Sequence, residues 1–132
     1  MALLEITRSE EVANLVIRER AEVSSKSLHT KQYAVLENGL EVAFLSLDIR
    51  PNVEYLVLYE LFVPKEYRRQ GIASRVLKDI EGVAKSLEYR KVTLNPSPLE
   101  KEHAKAELIS WYKKRGYIER QECPSELEKC IT

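Results

Sequence analysis

Residue types able to do chemistry are concentrated in one stretch. From Lys65 to Arg75 the chain reads Lys-Glu-Tyr-Arg-Arg-Gln-Gly-Ile-Ala-Ser-Arg, four basic residues against one acidic. This surplus stands just ahead of a run with helical apolar spacing, where a first helical turn offers unpaired N–H groups and the positive end of its dipole. That combination suits phosphate. Gly71 lets the backbone come close to a ligand with no Cβ in the way, and the small Ala73 keeps the first turn open. A solvated basic turn has the same composition, so charge alone does not separate the two.

The commoner phosphate loops are excluded. There is no G-x-x-x-x-G-K-[ST], and Gly71 stands alone where a dinucleotide-binding loop carries three glycines. No His, Cys, Asp or Glu cluster has metal-ligand spacing, so no metal is expected. Nor is there a G-x-S-x-G or Cys/His arrangement pointing to covalent catalysis.

The elements that must hold this loop follow from periodicity. Residues 53–63 are apolar except for Glu54 and Glu60, which predicts a strand covered on both faces. Pro64 cannot donate to a ladder and ends it. From Ile72 the positions Val76, Ile80, Val83 and Leu87 recur every three or four residues, the pattern of a helix with one buried face. Residues 91–94 make the next strand, and Pro96 and Pro98 forbid its continuation, so the sheet should part near Asn95.

Upstream, residues 3–6 read as a strand. Ser9 then caps an amphipathic helix whose stripe of Val12, Leu15, Val16 and Val23 faces a core. Residues 24–31 are a loop or a second short helix, and Asn38-Gly39 marks a hairpin between residues 33–36 and 40–47. Downstream, residues 105–115 read as a helix carrying Leu108, Trp111 and Tyr112, closed by Gly116. Residues 117–119 and 127–131 form a closing hairpin about Pro124. A hairpin ahead of the buried strand argues against a doubly wound parallel sheet.

Composition bounds what surrounds the site. A chain of 132 residues, 44% apolar and 32% charged, is expected to be one globular domain over residues 1–132. Twenty-one basic residues balance 21 acidic ones, so no whole-molecule field draws in nucleic acid or an anionic membrane. The longest apolar run, residues 55–59, is far too short to span a bilayer. No secretory signal is visible, so the expected location is the cytoplasm. Cys123 and Cys130 are read as ordinary reduced thiols.

Arg68-Arg69-Gln70-Gly71-Ile72-Ala73 matches the R-x-x-G-x-G/A motif of the GNAT superfamily of N-acetyltransferases, and Leu61-Phe62-Val63 lies at that family's usual distance before it. Downstream, Trp111-Tyr112-Lys113-Lys114-Arg115-Gly116-Tyr117 resembles the family's L-Y-x-x-x-G-F helix end. The resemblance implies an α/β fold with a mixed central sheet, mostly antiparallel and splayed near the cofactor, with helices on both faces. It further implies acetyl-CoA as co-substrate, its pyrophosphate on the backbone amides of Arg68, Arg69, Gln70, Gly71, Ile72 and Ala73, with Ser74 also among the cofactor-binding residues. The pantetheine would run beside Leu61, Phe62 and Val63 into the gap after Asn95. The chain departs from the pattern in carrying extra residues between Asn95 and Tyr112, and Lys105 where an Asn is common.

What the resemblance implies chemically is direct attack of a primary amine on the acetyl thioester. An attacking amine must be neutral, which at pH 7 costs about 4.6 kcal/mol for a lysine-type amine and about 1 kcal/mol for an α-amino group. Glu60 is the candidate base, with Glu54 as alternate; a β-bulge between them would send them to opposite faces. Tyr112 matches the family's proton donor to the departing thiolate. His103 reads as a surface residue. The expected partner is an amine acceptor that the motifs do not identify, with no membrane and no nucleic acid, and a homodimer is left open. A CoA-binding module without turnover is the competing reading.

Overall fold

The computed structural model describes residues 1–98 and 104–132; residues 99–103, His103 among them, lie outside the described residues. In chain order the strands are β1 (Ala2–Glu5), β2 (Thr30–Glu37), β3 (Leu40–Asp48), β4 (Tyr55–Phe62), β5 (Lys91–Leu94), β6 (Ile118–Glu119) and β7 (Leu127–Cys130). The helices are α1 (Leu15–Val23), α2 (Ile72–Ser86) and α3 (Lys105–Lys113). The strands form one sheet in the order β1-β2-β3-β4-β5-β7-β6. Only β4 and β5 run parallel. The expected mixed, mostly antiparallel sheet is therefore what the chain adopts, and it is unclosed.

The β2–β3 hairpin turns where the dipeptide signal put it. Asn38 and Gly39 have φ of 53° and 79°, the paired positive values that a two-residue turn matching strand twist requires. Alternation along these strands then feeds two cores. Ala34 and Phe44 pack with Ile6, Val12, Ile17 and Ala21 under α1. Their neighbours Val35 and Leu45 face the other way, into a larger core with Leu56, Leu58, Ile72, Val76, Ile80 and Tyr112. Helices thus cover both faces, α1 on one and α2 with α3 on the other.

Three sequence expectations need correction. The first helix does not start at Ser9: Ser9–Glu11 is a single 3-10 turn, and α1 begins after Asn14, whose side chain accepts from the N–H groups of Val16 and Ile17. Val12 therefore precedes the helix, and the spacing that joined it to Leu15, Val16 and Val23 crosses a break. Those three are exposed, while Ile17 and Ala21 are buried. Second, α2 ends at Ser86, which leaves Leu87 at its C-cap and exposed. Third, β4 is covered fully on one face only; Leu56 and Leu58 are buried, Tyr55 and Val57 half-buried, and Tyr59 exposed. Residues 24–29 hold no helix, and β2 starts at Thr30. No described helix is long and apolar enough to cross a membrane.

Ile80 is fully buried between α2 and the sheet, so Ile80→Ala should destabilise the fold by about 2–5 kcal/mol through lost burial and a residual cavity. Urea unfolding should show a lower midpoint at unchanged slope; an unchanged midpoint would mean α2 is not anchored there.

Candidate functional site: a cleft where the sheet parts

β4 and β5 pair from Tyr55↔Lys91 to Leu58↔Leu94, and there the parallel ladder stops. β4 continues to Phe62, hydrogen-bonded only to β3 on its other side, while β5 gives way to Asn95, Pro96, Ser97 and Pro98. Proline has no N–H to give a ladder, so the expected parting near Asn95 is realised. The wedge between the strands is a cleft of about 560 Å³. Glu60, Leu61, Phe62 and Val63 form one side, Arg68, Arg69 and Ala73 the loop end, and Leu108, Trp111 and Tyr112 of α3 the opposite wall.

A β-bulge lies in the same stretch. Leu47 pairs with Leu58 but Ser46 with Glu60, so Tyr59 is the extra residue on β4. The bulge reverses which face the following side chains occupy. Leu58 belongs to the α2-side core, whereas Glu60 turns toward α1. There its Oε1 accepts from the Ser24 hydroxyl at 2.9 Å, and its Oε2 lies 3.2 Å from Arg20 Nε. That second approach is off the hydrogen-bond line: both Arg20 Nε and Glu60 Oε2 are buried without a hydrogen-bond partner, so the pair is coulombic. Glu54 is exposed just before β4 and does not line the cleft; its carbonyl accepts from Arg90 and Lys91.

The basic loop is braced rather than spread into solvent. A 3-10 turn, Lys65–Tyr67, leads into it, and the Arg68 guanidinium folds back to donate to the Val63 carbonyl at 2.8 Å. Arg75 forms a two-pronged ion pair with Glu37 of β2, at 2.8 and 2.9 Å, and donates to the Gln70 carbonyl. Hydrogen bonding from Arg75 holds the Glu37 carboxyl below its usual range. Arg75 is thus neutralised, a reduction of loop charge that composition did not show.

Arg69 and Gly71 have φ of 63° and 75°, and the N–H groups of residues 69–74 have no acceptor among the described residues. Arg75 N–H, bonded to the Gly71 carbonyl, is the first to enter the α2 ladder. A non-glycine residue in the left-handed region costs about 1–2 kcal/mol, and here the strain is localised at a set of free donors. Gly71 is the N-cap, and the Ile72 side chain is buried under α2, leaving only its backbone to offer a ligand.

Tyr112 is 7% exposed and meets Trp111 and Tyr117 edge-to-face, with ring centroids 4.9 and 5.6 Å away. Burial pushes its phenol up to about 12, so it carries its proton throughout the neutral range. Gly116 has φ of 96° and lies two residues beyond the helix C-cap, Lys114, where the Tyr117 N–H returns to the Tyr112 carbonyl. Sequence reasoning did not find Arg20, Tyr59 or Arg115 near the site, and it reached Ser24 only as the start of a segment, residues 24–31, expected to contact the acceptor. Leu108 was legible only as an apolar position of a helix, and Trp111 also as the first residue of the helix-end resemblance.

The family model described as acetyltransferase (GNAT) domain matches residues 29–119. No curated protein sequence matches the chain. Among solved structures, the chain is similar to Tetrahymena GCN5, with a TM-score of 0.69 and 12% identity over 100% of this chain and 97% of that one. It is similar to an aminoglycoside 6'-N-acetyltransferase complexed with coenzyme A, with a TM-score of 0.66 and 14% identity over 100% and 98% of the two chains. A GNAT family acetyltransferase from Elizabethkingia anophelis with acetyl-CoA bound has a TM-score of 0.58 and 17% identity over 77% and 76%. At such identities these structures support the fold alone. With its loop, its parted sheet and a family match over most of its length, the chain belongs to the GNAT acetyltransferase family.

Proposed function

We propose that the protein transfers an acetyl group from acetyl-CoA to a primary amine by direct attack in a ternary complex. The observation that carries this reading is the wedge between β4 and β5 beyond Leu58 and Leu94, which opens beside the free N–H groups of residues 69–74. The residues present fit the co-substrate: donors and the Arg69 cation at one end for phosphates, and an unpaired β4 edge with apolar walls for a narrow amide-bearing arm. When bound, acetyl-CoA supplies the activated acetyl thioester.

The chain's own residues then handle protons. As the acceptor nitrogen bonds to the thioester carbon and the carbon–sulfur bond breaks, Glu60 takes the amine proton through water and Tyr112 gives its phenolic proton to the departing sulfur. The products are an amide and free coenzyme A. Burial supports the donor role of Tyr112, because a phenol held at about 12 is protonated when the thiolate forms.

One observation favours a second reading. The candidate base already faces Arg20 and Ser24, which is what a structural carboxylate would do in a CoA-binding module without turnover. Free CoA release across a panel of peptides, polyamines and small amines separates the two. Turnover on any amine supports transfer, and tight acetyl-CoA binding with no turnover on all of them supports the binder.

Gly71→Glu should remove calorimetrically detectable acetyl-CoA binding, since it places a carboxylate among the free N–H groups and forces a side chain into φ of 75°. Retained affinity in a variant with native thermal unfolding would overturn the phosphate site. Tyr112→Phe should lower kcat roughly a hundredfold while leaving acetyl-CoA affinity nearly unchanged. Because its phenol titrates at about 12, the wild-type to variant rate ratio should stay flat from about pH 6 to 10 and fall only above that as the proton is lost. A ratio near one at all pH values would remove the acid role.

A further inference from the structure

Arg115, half-buried against the α3 wall of the cleft, faces no carboxylate among the described residues. Arg20 pairs with Glu60, Arg75 with Glu37, and Arg120 with Glu126 and Glu128. Arg115 is held by neutral groups instead. Its guanidinium carbon stacks 3.8 Å from the Trp111 ring centre, its Nη1 donates to the Trp111 carbonyl at 2.9 Å, and its Nε donates to Ser74 Oγ at 3.1 Å. Nη2 has no acceptor among the described residues. These three contacts, all to neutral groups, fix the guanidinium in place and leave its charge unbalanced by any carboxylate among the described residues, so it stays available to an anion nearby.

Ser74 gives that charge a direction. It lies in the first turn of α2, beside Ala73, which lines the cleft, and its N–H is among those without an acceptor. Because its oxygen accepts from Arg115, its own hydroxyl proton is left to donate, and a hydroxyl bonded to a guanidinium is a stronger donor than a free one. Arg115 thereby joins the α3 wall, through Trp111, to the loop end, through Ser74.

We propose that Arg115 is a positioning residue for the co-substrate's phosphates, acting from the end of α3 through the Ser74 hydroxyl on the first turn of α2. It replaces charge that the loop loses when Arg75 is tied to Glu37. This rests on the reading that the cleft takes acetyl-CoA.

The test is a titration of coenzyme A and of S-acetyl-pantetheine, which has no phosphate, against wild type, Arg115→Met, Arg115→Lys, Ser74→Ala and the Arg115→Met/Ser74→Ala double variant. Calorimetry follows the first ligand, and amide chemical shifts follow the weaker one. Expected is a loss of roughly tenfold or more in coenzyme A affinity for Arg115→Met. Acetyl-pantetheine affinity should stay within about twofold, and Arg115→Lys should recover part of the loss. The double variant should lose little more than Arg115→Met alone. Equal losses for both ligands would make Arg115 only a strut between α3 and α2 and overturn the proposal. No loss for coenzyme A, or losses that add in the double variant, would overturn it as well. A wild-type protein that binds no coenzyme A would instead sink the underlying acetyl-CoA reading and this proposal with it.

Discussion

The structure turns on one hydrogen-bonding constraint: β4 is longer than the parallel partner available to it. β5 supplies four residues and then Asn95-Pro96-Ser97-Pro98, which cannot extend a ladder, so β4 past Leu58 is left with polar backbone on one edge. A sheet normally hides such an edge under another strand, helix or loop. Here α3 stands off across the wedge with Leu108, Trp111 and Tyr112, and the cleft is what remains between them. The bulge at Tyr59 belongs to the same device, since it turns Glu60 out of the α2-side core and toward α1.

Charge at the loop end is organised by subtraction and substitution. Four cations were visible between Lys65 and Arg75, yet Arg75 is spent on Glu37 and the Gln70 carbonyl, and Arg68 reaches back to the end of β4. These bonds hold the loop in shape. Free N–H groups around two left-handed residues, Arg69 and Gly71, then provide donors that need no side-chain ordering. Preorganised donors of this kind suit a phosphate better than mobile surface lysines, because little entropy is lost when the anion arrives.

Tyr112 and Glu60, on opposite walls of one cleft, meet different surroundings. Tyr112 is enclosed by Trp111, Tyr117 and the core, so its phenol keeps its proton. Glu60 has an arginine and a serine hydroxyl beside it, with one carboxylate oxygen still lacking a hydrogen bond. A buried phenol and a carboxylate are thereby separated on opposite walls.

Much of this was legible from local chemistry. Asn38-Gly39, Pro64, Pro96 and Gly71 each impose a backbone requirement that no packing can override, and so the hairpin, the end of β4, the parting of the sheet and the start of α2 could be read from the chain. The α2 stripe was legible because fifteen residues sample its period fully, whereas α1 was misplaced because nine residues follow a 3-10 turn that breaks the count. Contacts between residues distant along the chain had no such signal. Whether Glu60 meets Arg20, whether Arg75 is neutralised by Glu37, and whether Arg115 reaches Ser74 depend on strand register, one bulge and helix placement. Those are outcomes of packing, because side chains 40 residues apart can find each other only once the sheet and helices between them have set their distance and direction.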